Sequence, residues 1–475
     1  MSSKAASSKA KRRVLLLTPP LLQPNTPYPA TMYLKAHLDS IGVKCEQVDL
    51  SIKVVRDILA QFGGNEAEEI LELLSSDAPI ESKIEAANWV SDLASGICAE
   101  VDEGFGFSRY SEYLCASLRD FKELAKLIRK RGVIDEPLEK HLFLAVQKFR
   151  PTEVWVTCPF PGTLVGAFKI ASYLSKNFPN IKRVIGGGYV STELRHMTDK
   201  RPYKFFDEFV FDSPIKVPFI APSYDGIDMQ EYFDMPTETD LVSRLWCSGR
   251  WKKLQMANGC YWHKCAFCDV RLSYIGKFSM PTPGEIVDAM EGLGDKFHFV
   301  DEAMPPTLVR GVCEEILRRN FTCTWWGNVR FDAAFTPELT KLMAKAGCIA
   351  VTGGLECACD RLLKLMNKGI TLKSAEKVLK AFKASKIGVH AYLMYDFPTE
   401  TKREFSEAKK YVQSLVSRGL VSTYYWHRFG LTVHSPIYAA PEQFKIEVEP
   451  IPKGRLFALN EVGYRKASSR KATKK

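Results

Sequence analysis

The sequence predicts an α/β chain in two parts: a small doubly wound domain over residues 13–212 and a partial (β/α)6 TIM-like barrel over residues 251–440. Two separate series of alternating strand-like and helix-like segments carry this expectation. Three closely spaced cysteines stand where the second series begins. At 475 residues the chain is too long for one ordinary core. Its 46% hydrophobic and 25% charged residues exclude a mostly disordered or fibrous protein.

The first series opens with an apolar run at 13–18, stopped by Pro19-Pro20, which reads as a buried strand and a loop. Residues 28–41 place Met32, Leu34, Leu38 and Ile41 at helical spacing, and Gly42 ends the segment. A second strand over 43–50 completes a βαβ unit. Residues 51–148 show only helical patterns (52–59, 70–74, 121–128), broken near Gly104-Phe105-Gly106, and read as a helical insertion. Alternation resumes with a strand at 153–158, a helix at 165–174 and a strand at 182–185 before Gly186-Gly187-Gly188. On residues alone that glycine run reads equally as a tight turn or a nucleotide loop. The proline-rich stretch 213–250 is expected to be a linker lying across a surface.

In the second series, strands are predicted at 254–257, 297–300, 322–326, 349–352, 388–394 and 422–426. Helices are predicted at 283–290, 308–318, 337–346, 374–384 and 400–415. Six such repeats fit a partial barrel better than an antiparallel fold, and chemistry in a barrel belongs at the C-terminal ends of its strands. Residues 441–475 form a C-terminal extension.

The net charge of +11 resides in the ends. Lys4, Lys9, Lys11, Arg12 and Arg13 open the chain, while Arg465, Lys466, Arg470, Lys471, Lys474 and Lys475 close it, with no acid among either group. Basic and acidic residues balance in the remainder, so the charge does not indicate a nucleic-acid groove. The arm 1–12 and the final tail read as disordered and solubilising. No apolar stretch approaches the roughly 18 residues of a membrane span, and the apolar run after Arg12-Arg13 is too short for a signal peptide. Thirteen cysteines without an export signal point to a reducing, cytoplasmic compartment, where thiols serve as metal ligands, packing groups or nucleophiles.

The sharpest signal is Cys260-Tyr261-Trp262-His263-Lys264-Cys265-Ala266-Phe267-Cys268, directly after the first strand of the second series. Soft thiolates at this spacing select zinc or an iron–sulfur cluster. A structural zinc ordinarily needs four ligands in two pairs, whereas only an isolated Cys247 lies upstream. Three ligands suit a four-iron cluster with one iron left open, and Tyr261, Trp262 and Phe267 supply apolar cover. A zinc-ribbon module that binds nucleic acid through the basic arms is the alternative from another class, and ordinary packing is the bland one.

With these residues in place, the sequence resembles the radical S-adenosylmethionine (SAM) superfamily, in particular members with an N-terminal cobalamin (B12)-binding domain. The resemblance implies that Cys260, Cys265 and Cys268 hold a [4Fe-4S] cluster whose open iron chelates SAM. The spacing is C-x4-C-x2-C, one residue longer than the commonest family spacing. It further implies SAM contacts at successive strand ends: Asp301 and Glu302, where the family usually carries Gly-Gly-Glu; Asn328 and Arg330; and Gly353, Gly354 and Glu356. The segment from Met394 to Thr401, with Asp396 where the family usually has glycine, resembles the turn after the fifth strand.

The same resemblance makes residues 13–212 a Rossmann-like cobalamin-binding domain, with Pro19, Tyr28, Thr157, Gly186, Gly187, Gly188 and Tyr189 at the corrinoid. No Asp-x-His-x-x-Gly motif occurs, so no histidine is supplied by that motif as lower cobalt ligand. The implied activity is reductive cleavage of SAM to a 5′-deoxyadenosyl radical and cobalamin-dependent methyl transfer to an unactivated carbon. Its alternative is a radical cyclisation, oxidation or rearrangement without methyl transfer. Electrons would come from an external donor such as flavodoxin or ferredoxin, and neither membrane nor nucleic acid is an expected partner. Tyr392, Tyr395, Tyr425 and His427 fall near predicted strand ends, where core packing or support of a neighbouring group is a better explanation than a substrate pocket.

Overall fold

The computed structural model describes residues 12–107 and 120–467, so the basic arm before residue 12 and the tail after 467 lie outside the described residues. Two compact units emerge: Met1–Lys216 with Pro222–Phe233, and Val217–Ala221 with Asp234–Lys475. The stretch 213–250 is therefore divided between them.

The first unit is built on a parallel five-stranded sheet of order β2-β1-β3-β4-β5. Strand β1 (Arg13–Thr18) is central, and Val14 to Leu17 are completely buried, as expected for a strand covered on both faces. Helix α1 (Ala30–Ser40) starts later than the apolar periodicity suggests because Pro29 takes its N-cap. Strand β2 (Lys44–Asp49) runs without a loop into α2 (Leu50–Ser75). Asp49 makes that junction: its Oδ1 accepts from the amides of Ser51 (2.8 Å) and Ile52 (3.4 Å), and its Oδ2 accepts from Tyr232 (2.8 Å). Burial nevertheless raises its carboxyl pKa to about 6.

The helical insertion follows as α2, α3 (Ile80–Glu100), α4 (Phe121–Arg129) and α5 (Asp135–Phe149). The chain then enters β3 (Glu153–Thr157), α6 (Leu164–Asn177), β4 (Lys182–Gly186), α7 (Gly188–Thr192) and a two-residue β5 (Glu208–Phe209) that the sequence patterns do not reveal. A buried ion pair between Lys169 of α6 and Asp135 of α5 (2.8 Å) fastens the insertion to the sheet-covering helix. Arg12, at the end of the expected disordered arm, pairs with Glu153 at 2.7 Å and lies over the Trp155 ring.

The second unit carries six parallel strands in sequential order: β6 (Lys252–Leu254), β7 (Lys296–Phe299), β8 (Thr324–Val329), β9 (Cys348–Glu356), β10 (Gly388–Tyr395) and β11 (Thr423–Arg428). After a short α8 (Ser273–Gly276), its major helices are α9 (Pro283–Leu293), α10 (Pro306–Arg318) and α11 (Pro337–Lys345). A short α12 (Asp360–Leu365) precedes α13 (Leu372–Ala384) and α14 (Lys402–Ser417). Thr282, Thr371 and Thr401 each open a capping box, and the helices bury their apolar faces against the strands.

The expectation that the connecting stretch lies across a surface fails for its later part. Val242, Leu245 and Trp251 are buried with Trp326 of β8 and Ala350 of β9, and Trp246 packs edge-on to Trp326, His390 and Tyr392. These bulky apolar side chains gain more from filling the space inside the curved sheet than from exposure. His298 of β7 stacks on Trp326 in the same interior layer, beside Lys253 of β6, whose ammonium pKa burial lowers to about 8.

The C-terminal extension also begins as folded chain. Following β12 (Leu431–Thr432) and α15 (Pro436–Ala439), β13 (Ile446–Val448) pairs antiparallel with β15 (Tyr464–Lys466), while β14 (Glu461–Val462) pairs with β12. Arg465 and Lys466, read as part of the disordered tail, thus belong to a strand, and Arg465 pairs with Glu447 at 2.8 Å. Among the described residues, no helix is long and apolar enough to cross a membrane.

Candidate functional site

The cysteine loop leaves β6 through a fixed backbone. Asp301, just beyond β7, is buried and accepts from the amides of Met256 (2.9 Å) and Ala257 (2.7 Å). Its backbone carbonyl accepts from Asn328 Nδ2 at 2.8 Å, and the Thr352 hydroxyl donates to Asn328 Oδ1. Burial lifts the Asp301 carboxyl pKa to about 7 despite these donors. Gly259 has φ +71°, and a Cβ there would stand 2.3 Å from the Lys277 carbonyl oxygen, so only glycine fits. Asn258 and Ser279 exchange backbone bonds, and the Cys260 amide donates to Ile275.

Beyond that base, the loop is held from two sides. Tyr261 donates to Asp332 at 2.6 Å, and Trp262 Nε1 donates to the Asn367 carbonyl at 2.8 Å. The Trp262 ring covers Gly369, which has φ +76° and whose Cβ would meet that ring at 2.2 Å. The Arg330 guanidinium lies 4.7 Å from the Trp262 ring centroid, donates to the Lys368 carbonyl and approaches Cys265 Sγ to 3.7 Å. Lys368 is buried and pairs with Glu356 at 2.7 Å.

These contacts set the charge at the sulfurs. A hydrogen bond from Cys268, together with the cations of Lys368 and Arg330, holds the Cys265 thiol below its ordinary pKa. The same bond and burial hold Cys268 above its own. Two sulfurs therefore meet, whereas among the described residues no three His, Cys, Asp or Glu side chains converge closely enough to hold a metal ion. The third thiol, Cys260, is on the same short loop. Three soft donors, one already favoured as thiolate, with two cations beside them, fit the donor chemistry of an iron–sulfur cluster.

Other strand-end residues have protein partners. Gly353 and Gly354 end where side chains would collide with the Phe331 ring (2.7 Å) and the Glu356 carboxylate (1.9 Å). Close packing accounts for both. Glu356 sits at φ +54° with its carboxylate turned to Lys368, while Glu302 is exposed. Tyr392 packs on Trp246 and His390, Tyr395 on Phe405, and Tyr425 is exposed. His427 is half-buried. Lys368 and Asp332 carried no motif; the one available hint was the turn-forming pair Asn367 and Gly369 on either side of Lys368, both of which take left-handed φ in the structure.

In the first unit the named residues gather at the carboxyl ends of β1, β3 and β4. Pro19 follows β1, and the next residue, Pro20, abuts Gly166 of α6, where a Cβ would stand 2.3 Å from the Pro20 oxygen. Tyr28 meets Phe160 edge-on at 5.6 Å. Gly187 (φ +107°) and Gly188 lie against Cys158 and Pro159, and Tyr189 donates its amide to Cys158 at 3.1 Å, so this glycine run locks β4 onto the end of β3. Thr157 Oγ1 and both amide atoms of Asn25 are buried without a hydrogen-bond partner. Leaving such a group unsatisfied costs about 1–3 kcal/mol. These orphaned atoms, at the end of β3 and in the loop after β1, fit a polar ligand such as a corrinoid better than a closed apolar core.

Residues 254–412 match the family described as the Radical SAM superfamily. A curated relative, an uncharacterized methyltransferase of Pyrococcus horikoshii, is 24% identical over 205 residues, which cover 41% of each protein. Another is the anaerobic magnesium-protoporphyrin IX monomethyl ester cyclase of Rubrivivax gelatinosus, 28% identical over 199 residues, or 40% of this chain and 34% of the cyclase. The chain thus matches less than half the length of these relatives. Among solved structures, the radical SAM methyltransferase TsrM of Kitasatospora setae, with cobalamin and a [4Fe-4S] cluster bound, shares the fold at a TM-score of 0.52. That likeness covers 95% of this chain and 83% of TsrM at 14% identity.

Proposed function

Since the chain belongs to the radical SAM superfamily through residues 254–412, we propose that it is a cobalamin-dependent methyltransferase acting on an unactivated carbon. The observation that carries the reading is the placement of Cys265 and Cys268 at the strand ends of a six-stranded parallel sheet, beside Arg330 and Lys368. The parallel five-stranded unit and its fold likeness to a cobalamin-bound methyltransferase support the cobalamin half.

Cys260, Cys265 and Cys268 would hold the cluster. Bound there with SAM it supplies a 5′-deoxyadenosyl radical, and cobalamin supplies the methyl group. The chain's own part is electrostatic and steric. Arg330 and Lys368 offset the negative charge of the thiolates, and Glu356 fixes the Lys368 ammonium. Tyr261, Trp262 and Phe267 give the loop apolar cover and keep solvent out of the site. Asp301 keeps the loop's point of departure constant. Glu302, which is exposed, offers its carboxylate to the SAM ammonium or hydroxyls. Electrons would be delivered by a flavodoxin- or ferredoxin-type donor in a cytoplasmic setting.

The test is anaerobic reconstitution of the full chain with iron and sulfide, then SAM, reductant and hydroxocobalamin. Mass spectrometry should find 5′-deoxyadenosine and S-adenosylhomocysteine, and Cys265→Ala should form no 5′-deoxyadenosine. A colourless protein that cannot split SAM would overturn the radical reading. The cyclase relative favours a second one, radical rearrangement without methyl transfer. It would be marked by 5′-deoxyadenosine without S-adenosylhomocysteine, whether the corrinoid is retained or not.

A further inference from the structure

The loop between β1 and α1 contains a side chain that the protein leaves unused. Asn25 is only 1% exposed, yet neither its Nδ2 nor its Oδ1 has a hydrogen-bond partner. At the end of β3, Thr157 is 4% exposed and its Oγ1 is equally unpartnered. Buried polar groups are almost always paired, so two such residues, one at the end of β3 and one in the loop that leaves β1, call for an explanation.

Topology gives them a common place. In the order β2-β1-β3-β4-β5 the chain turns one way after β1 and the other way after β3, and ligands of doubly wound sheets bind at that switch. β1 and β3 pair in register through Leu17 and Val156, so Thr157 stands beside the point where the Asn25 loop departs. Tyr28, three residues beyond Asn25, rests on Phe160, three residues beyond Thr157. Phe160 is half exposed and gives this edge an apolar lip.

We propose that Asn25 and Thr157 are the polar anchors of the corrinoid in this unit, an inference that rests on the cobalamin reading above. The amide of Asn25 offers a donating NH2 and an accepting oxygen, the complement of a primary carboxamide, and the corrin ring carries such carboxamides around its rim. The Thr157 hydroxyl adds a contact that either donates or accepts. The glycine run at 186–188 is closed against Cys158 and Pro159 and contributes shape alone.

The apo full-length chain is titrated with hydroxocobalamin by equilibrium dialysis and absorbance, with thermal unfolding of each apo protein in parallel. Asn25→Leu should weaken corrinoid binding at least tenfold while leaving the apo midpoint unchanged or higher, because leucine removes an unpaired amide at similar volume. Thr157→Val should weaken binding by a few-fold, again without lowering the midpoint. Unchanged affinity in both variants would overturn the proposal. So would a midpoint several degrees lower for Asn25→Leu, which would reveal a structural partner for the amide. A wild-type chain that takes up no corrinoid would instead overturn the cobalamin reading itself, together with this one.

Discussion

The strand ends of the two sheets use their polar residues in opposite ways. In the six-stranded unit Asp301, Asn328 and Glu356 are spent on the protein itself: on the amides of Met256 and Ala257, on the Asp301 carbonyl and the Thr352 hydroxyl, and on Lys368. In the five-stranded unit Asn25 and Thr157 are buried and unspent. A cluster held by bonds to sulfur needs a loop whose backbone is already fixed. A ligand held by hydrogen bonds needs donors and acceptors still open. Arg330 bridges the two habits, since its terminal nitrogens are engaged while its Nε is buried without a partner.

The largest effect that would sharpen this contrast is at the sulfurs. Cys265→Ala should abolish the iron–sulfur absorbance of the reconstituted protein and SAM cleavage while corrinoid uptake persists; loss of corrinoid uptake as well would break the division of labour. Next comes the Glu356–Lys368 pair. Lys368→Ala leaves a buried carboxylate alone and should cost about 3–5 kcal/mol in urea unfolding, whereas adding Glu356→Gln should recover much of it.

Acidity gives a third measure. The folded pKa of Asp301, about 7, stands above its unfolded value of about 3.9, so folding takes up protons between these limits. Its contribution is complete below pH 4 and is lost as pH rises toward 7, with a slope of at most about 1.4 kcal/mol per pH unit. Asp301→Asn should remove that slope from the pH dependence of unfolding; an unaltered slope would show that the carboxylate titrates normally. The smallest change belongs to a helix cap. Thr401→Ala should cost about 1 kcal/mol of stability and leave corrinoid and iron content alone.

The sequence exposed the parts of this arrangement that depend on periodicity or spacing. All six strands of the second unit, and the three thiols at the first of their ends, were visible because apolar runs and a nine-residue motif are local signals. The short β5 has two residues and no pattern to offer. The roles of Gly353 and Gly354 were legible only as space; that the space is filled by Phe331 and Glu356 required tertiary contacts. Lys368 was hidden for the same reason, since a lysine between two helices reads as solvated until a glutamate 12 residues earlier proves to be its buried partner. Arg465 erred in the other direction, because a basic run at a chain end resembles a solvated tail whether or not its first residues pair with a strand.

The aromatic residues inside the six-stranded sheet also decide where that unit can be cut. Val242 seats against Gly388, the first residue of β10, and Trp246 lies on His390, so the stretch acts as a stopper at the strands' starting ends. A truncation begun at Trp251, the natural choice from the family match, would uncork a greasy hollow and expose Trp326 to solvent. Such a fragment should aggregate, whereas one begun at Asp234 retains its own bung.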